Sequence, residues 1–170
     1  MWYTWGYQKC KTQEQVVEIY LVQHGEPKSE IEDTERPLTD KGEAVVESIA
    51  RYVATLGIEV AQILHSGKLR AKQTAELFDH YLLPSQGVRE QKGLAPLDDP
   101  YEAKLLVHQA ERPLMIVGHL PHLSRLASLL ILGTPEKEVI RFSMGGIVCL
   151  SQINGSWLMK WTLIPELIEK

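Results

Sequence analysis

The sequence predicts an α/β fold: a three-layer α/β/α sandwich with a mostly parallel central sheet and an antiparallel C-terminal hairpin. Two observations carry that prediction. Short apolar runs alternate with amphipathic helical stretches through most of the chain, the pattern of parallel strands joined by helical crossovers. Near the end, two strand-like runs, Gly145 to Ile153 and Ser156 to Ile164, flank Asn154-Gly155. That dipeptide is the strongest short signal for a tight hairpin. The length, 170 residues, suits one domain with a packed core.

The elements follow in order. Residues 1–15 read as an N-terminal extension, with Trp2, Tyr3, Trp5 and Tyr7 clustered before any periodic pattern begins. Such a cluster either packs an aromatic ring or two on the body or forms a contact for a partner chain. Residues 16–170 form the single domain. Ile19 to Val22 is an apolar run that ends in Gln23-His24-Gly25, so it reads as a buried strand with His24 at its C-terminal end. An acidic polar stretch, Glu26 to Arg36, leads to Pro37-Leu38-Thr39. Thr39 is a good N-cap, because its hydroxyl can satisfy a free N–H of the first helical turn. Ala44, Val45, Ile49, Val53 and Leu56 recur at helical steps, and Gly57 stops the helix.

Val60 to Leu64 is a second short strand, ending in His65-Ser66-Gly67. A helix from Leu69 to about Leu82 follows at once, with Ala71, Ala75, Leu77 and Phe78 on its apolar side and Pro84 closing it. Val88 marks a short strand. Gln91 to Pro100 is a loop, and Tyr101 to Ala110 a third helix. Pro113 to Val117 is another apolar strand, ending in Gly118-His119. The fourth helix runs from about His122 to Leu132 and stops at Gly133.

Composition narrows the classes of function. The formal net charge of -4 argues against a nucleic-acid surface as the main business. No apolar run approaches the roughly 20 residues that span a bilayer, and the start lacks the apolar core of a signal peptide. Cys10 and Cys149 have neither metal-like nor redox-like spacing, which reads as free thiols in a reducing compartment. The expected location is the cytosol, with neither nucleic acid nor membrane as partner.

Three strands of the alternating region end in distinctive polar groups: His24, then Ser66 with Arg70 on the adjoining helix start, then His119. In a parallel sheet these ends share one edge, where open α/β sheets bind ligands. The helix near Leu69 presents free N–H groups there, and helix N-termini favour anions. Two imidazoles, a guanidinium fork and helix-end N–H groups are suited to phosphate. His119 and His122 have the spacing of a metal-binding pair, but no third ligand accompanies them. His65 reads as a strand-end group near the rim, and His80 and His108 as helix-surface groups.

These residues resemble a known family. Gln23-His24-Gly25-Glu26 is similar to the Arg-His-Gly motif of the histidine phosphatase, or phosphoglycerate mutase-like, superfamily. Leu38-Thr39-Asp40-Lys41-Gly42 resembles its Leu-Thr-x-x-Gly element. Ser66 to Ala75 resembles its Ser-Pro-x-x-Arg-Ala-x-Gln-Thr-Ala segment, and Gly118-His119-Leu120-Pro121 its Gly-His-x-Pro. The resemblance spans Ile19 to Ile164 and is closest to the small SixA-type branch. It implies a phospho-enzyme mechanism with His24 as nucleophile. Arg70 would clamp phosphoryl oxygens, and His119, as imidazolium, would stabilise developing charge. Gln23, Gly25, Ser66 and Gly118 would line the phosphate site. No cofactor and no metal are implied.

Two positions depart from the family pattern. Gln23 stands where the family has Arg. A charge-assisted hydrogen bond is worth about 1.5–3 kcal/mol and a neutral one about 0.5–1.5, so the expected penalty is roughly ten-fold in rate. Gly67 stands where Pro is usual, which is expected to loosen the loop and little else. The available acids are Glu26, Asp33, Glu90 and Asp98, each of which also reads as a surface residue. The implied substrate is phosphohistidine on a protein. An imidazole leaving group, with a pKa near neutrality, needs little help from a general acid. The alternatives are a small phosphomonoester, or phosphate binding with little or no turnover because of Gln23.

Overall fold

The structure is a computed structural model that describes residues 17–168. The aromatic cluster of the N-terminal extension, the boundary near residue 15 and Cys10 lie outside the described residues. Six strands form one sheet in the order β3-β2-β4-β1-β5-β6. They are β1 (Glu18–Gln23), β2 (Gln62–His65), β3 (Val88–Glu90), β4 (Leu114–Gly118), β5 (Ile147–Ile153) and β6 (Ser156–Leu163). The first four run parallel. β5 is antiparallel to β1, and β6 to β5. Asn154 and Gly155 both take positive φ, 51° and 78°, as a twisted two-residue hairpin turn requires.

The helices are α1 (Asp40–Thr55), α2 (Leu69–Leu82), α3 (Pro100–Gln109) and α4 (His122–Leu132). Strand alternation sorts them onto two faces. Tyr20, Val22, Ile63, Met115, Val117 and Cys149 pack with α1 and α2. Ile19, Leu21, Leu64, Leu114, Ile116 and Leu150 pack with α3 and α4. Both faces of the central strands are therefore buried, which is why they read as unbroken apolar runs. The expected three layers and sheet directions are those observed.

One expected face is corrected. The buried side of α1 is Gly42, Val46, Ile49, Ala50 and Val53, whereas Ala44 and Leu56 are exposed. Val45 and Val46 are adjacent apolar residues, and choosing the wrong one rotates the helix by about 100°. Gly42 decides the phase. A Cβ there would lie 2.3 Å from the Glu26 carbonyl oxygen, and one on Gly25 would lie 2.9 Å from the Gly42 carbonyl oxygen. The two glycines let the start of α1 press directly onto the turn that follows β1. Thr39 caps that helix by accepting from the Gly42 N–H at 2.9 Å.

Candidate active site

The strands β2, β4 and β1 are neighbours, so Ser66, His119 and His24 emerge side by side at one edge of the sheet. The backbone N–H of His24 donates to the Gly118 carbonyl at 3.1 Å, which extends the β1–β4 ladder to the residue itself. The two imidazoles, far apart in sequence, lie with ring centroids 4.8 Å apart at 56°. Both are buried, His24 at 8 % exposure and His119 at 2 %.

Hydrogen bonds fix the tautomer of His24. Its Nδ1 lies 2.7 Å from the carbonyl of Gly25, which can only accept, so Nδ1 carries the hydrogen. Nε2 is left with its lone pair, and the Arg70 Nε–H donates to it at 3.2 Å. Burial pushes the His24 pKa down to about 4. The Gly25 carbonyl opposes that shift, and the charges of Arg70 and Arg36 add to it. His119 falls to about 3, first through burial and then through His24, Arg70, Lys68 and His122. At neutral pH both rings are therefore uncharged, and the imidazolium expected at His119 would need a bound anion to supply compensating charge. His119 Nε2 meets the Ser66 hydroxyl at 2.5 Å, and its Nδ1 is buried without a partner.

Arg70 lies in the first turn of α2, whose N-cap residue, Lys68, makes no side-chain cap. Thr74, one turn on, ties this helix to the turn that carries His24 and Gly25. Its hydroxyl accepts from the Gly25 N–H at 3.1 Å and donates to the Arg70 carbonyl at 2.8 Å. Gln73 adds a second tie, accepting from the Leu38 N–H at 2.8 Å. Gln73 and Thr74 were legible only as parts of a motif. Their work is to hold three chain segments in register.

Sequence reasoning missed Arg36. It sits at the base of a loop that leaves the turn after His24 and returns at Leu38, closed by the Pro27–Leu38 bridge. Its φ is +50°, unusual for a side chain of this size and for a residue before proline. Its N–H donates to the Asp33 carbonyl at 3.0 Å and its Nε–H to the Lys28 carbonyl at 3.3 Å. Its charge lowers the pKa of both His24 and Arg70. A second guanidinium thus acts on the pocket from a different chain segment than position 23. The only signal in the sequence was a cation directly before Pro37-Leu38-Thr39.

Gln23 is half-buried at the end of β1, with its Oε1 buried and unpartnered. Its backbone carbonyl accepts from the Gly145 N–H at 2.9 Å. Gly67 does more than loosen its loop. Its φ is +83°, which proline cannot adopt. A Cβ there would also come within 2.5 Å of Glu90 Oε1. The Glu90 carboxylate therefore rests against the loop that carries Ser66. The N–H of Gly67 donates to His65 Nδ1 at 3.1 Å.

The other acids are placed differently. Glu26 is exposed, and its backbone carbonyl accepts from Thr39 at 2.9 Å. Asp33 Oδ1 accepts from Glu35 N–H at 2.9 Å, and Asp98 Oδ2 from Ala95 N–H at 2.8 Å; both cap their own loops. His122 is fully buried at the start of α4. Among the described residues no three metal-ligating side chains come together.

Residues 19–95 match the family described as the histidine phosphatase superfamily, branch 1. A protein of Picosynechococcus with no assigned activity is 35 % identical over 125 residues, 69 % of this chain and 74 % of that one. The protein histidine phosphatase SixA, solved with tungstate, superposes with a TM-score of 0.77 at 21 % identity, covering 90 % of this chain and all of the other. A mycobacterial glucosyl-3-phosphoglycerate phosphatase, solved with VO3, gives a TM-score of 0.66 at 13 % identity, over 85 % of this chain and 97 % of its own. The match in sequence and in fold makes this chain a member of the histidine phosphatase superfamily, branch 1, with a SixA-like fold.

Proposed function

We propose that the protein removes phosphoryl groups from phosphohistidine on proteins, with His24 as nucleophile. The observation that carries this reading is the state of His24. Its Nδ1–H is held by the Gly25 carbonyl, and its Nε2 is unprotonated and faces Arg70 and His119. A neutral imidazole with its lone pair on Nε2 attacks phosphorus once the Arg70 N–H turns from that nitrogen to a phosphoryl oxygen.

In the first step the Nε2 lone pair forms a bond to phosphorus, and the bond from phosphorus to the leaving nitrogen breaks. The leaving imidazole, already protonated on its far ring nitrogen in the substrate, keeps that electron pair and departs as the neutral ring. In the second step water attacks the phosphorylated His24, releasing inorganic phosphate and restoring neutral His24. Arg70, Arg36 and the N–H groups at the start of α2 stabilise charge on the equatorial oxygens. Ser66 and His119 face the same oxygens from β2 and β4. Catalysis of this transfer is mostly positioning and electrostatics, which fixed groups in a buried pocket supply.

The leaving group favours phosphohistidine. Glu26, Asp33 and Asp98 have other placements, and only Glu90 rests against the pocket loop. An imidazole leaves without strong acid help, whereas an alkoxide does not. The test compares turnover on a phosphohistidine peptide and on a sugar phosphate, with His24→Ala as control. The expected result is faster turnover of the peptide, lost in His24→Ala. A phosphorylated protein intermediate that is acid-labile should appear in rapid quench. Turnover persisting in His24→Ala, or a preference for the sugar phosphate, would overturn the reading.

A further inference from the structure

A groove of about 380 Å³ opens beside the nucleophile, between the end of β1, the first turns of α1 and the segment before β5. It begins at Gln23, one residue before His24, and reaches Leu120, one residue after His119. It is continuous in the chain with both catalytic imidazoles, yet neither ring lines it. Its volume falls within the range of real ligand sites.

Its chemistry is unusual for a phosphatase surface. Val45, Leu120, Phe142 and Met144 form apolar walls, and Leu120 and Met144 are 41 % and 47 % exposed. Glu26 and Glu166 face a single cation, Lys41. This balance repels a second phosphate or a carboxylate and attracts a cation. Apolar walls beside an excess of carboxylate fit a polypeptide segment that carries an apolar and a cationic side chain, and a sugar or glycerate phosphate carries neither.

We propose that this groove binds the polypeptide flanking the phosphohistidine, through an apolar side chain next to a cationic one. The inference rests on the protein-substrate reading above and specifies which protein surface is read.

The test uses the full chain and three substrates: phosphoramidate, which has no flank, and two phosphohistidine peptides. One peptide carries Leu-Lys beside the phosphohistidine, the other Gly-Glu. The variants are Met144→Glu and Glu166→Lys, neither of which belongs to the phosphate pocket. Wild type should prefer the Leu-Lys peptide by about ten-fold in kcat/KM, mostly through KM. Both variants should lose most of that preference, and Glu166→Lys should shift it toward the Gly-Glu peptide. Phosphoramidate turnover should stay unchanged in both variants.

A second readout does not depend on turnover. With ¹³C-methyl methionine, Met144 lines the groove, while Met159 on β6 serves as an internal control. The unphosphorylated Leu-Lys peptide should shift the Met144 methyl resonance and leave Met159 in place. The Gly-Glu peptide should shift neither. Equal use of both peptides, or a preference without a Met144 shift, overturns the groove assignment. A Met144 shift without phosphopeptide turnover keeps the groove and overturns the protein-phosphohistidine reading instead, so the two failures are distinguishable.

Discussion

Burying two neutral imidazoles side by side ties the stability of this protein to pH. A histidine in an unfolded chain has a pKa of about 6.5. In the fold, burial pushes His24 down to about 4 and His119 to about 3. A base whose folded pKa is depressed contributes stability above its unfolded pKa and loses it as pH falls toward the folded value. Below about pH 6.5 the unfolded state binds roughly two more protons than the native state at these positions. Each proton corresponds to about 1.4 kcal/mol per pH unit. Between pH 7 and pH 5 the pair should therefore cost about 4 kcal/mol, against a typical total of about 5–15. Urea unfolding at the two pH values measures the loss. His65 and His122 are shifted in the same direction and add to it. Glu18, with its lowered pKa, loses its contribution only below the usual carboxylate range. His119→Gln isolates the pair, since Gln does not titrate. In that variant the fall should shrink by about 2 kcal/mol. An unchanged fall in His119→Gln would show that His119 titrates normally, and the buried neutral pair would be wrong.

Other perturbations bear on the same pocket. Arg36→Gln removes the charge that acts on His24 and Arg70 and should lower kcat/KM by about ten-fold, a loss of about 1.4 kcal/mol. Gln23→Arg should recover most of that loss in the Arg36→Gln background and gain less in the wild type; equal gains in both would mean the two positions are independent. Thr74→Val leaves the Gly25 N–H buried without an acceptor, so urea unfolding should show a loss of about 1–3 kcal/mol, with a lower kcat. Gly67→Pro forces a residue locked near φ −65° into a position at φ +83°. It should reduce turnover even when combined with Glu90→Ala, because backbone conformation rather than the carboxylate is the main obstacle. Full activity in the double variant would refute that.

Local pattern made much of the molecule legible. Thr39 announced its helix because a cap bond is local. Asn154-Gly155 announced the hairpin because two positive φ values suit few other pairs. The apolar runs ending in His24 and Gly118-His119 read as strands because both their faces are buried. The phase of α1 was not legible, since it depends on Gly42 meeting the Glu26 backbone across a gap in sequence.

The sequence alone determined the alternation of strands and helices, and therefore that His24, Ser66 and His119 end their strands at one edge. Tertiary structure alone decided what those residues become together. It put the rings of His24 and His119 within 4.8 Å, held both neutral by burial, and brought the Arg36 charge to the pocket that Gln23 does not charge. Strand periodicity is carried by neighbouring residues. Desolvation and the field of a distant guanidinium depend on what the closed chain places around a group, which neighbours in sequence do not specify.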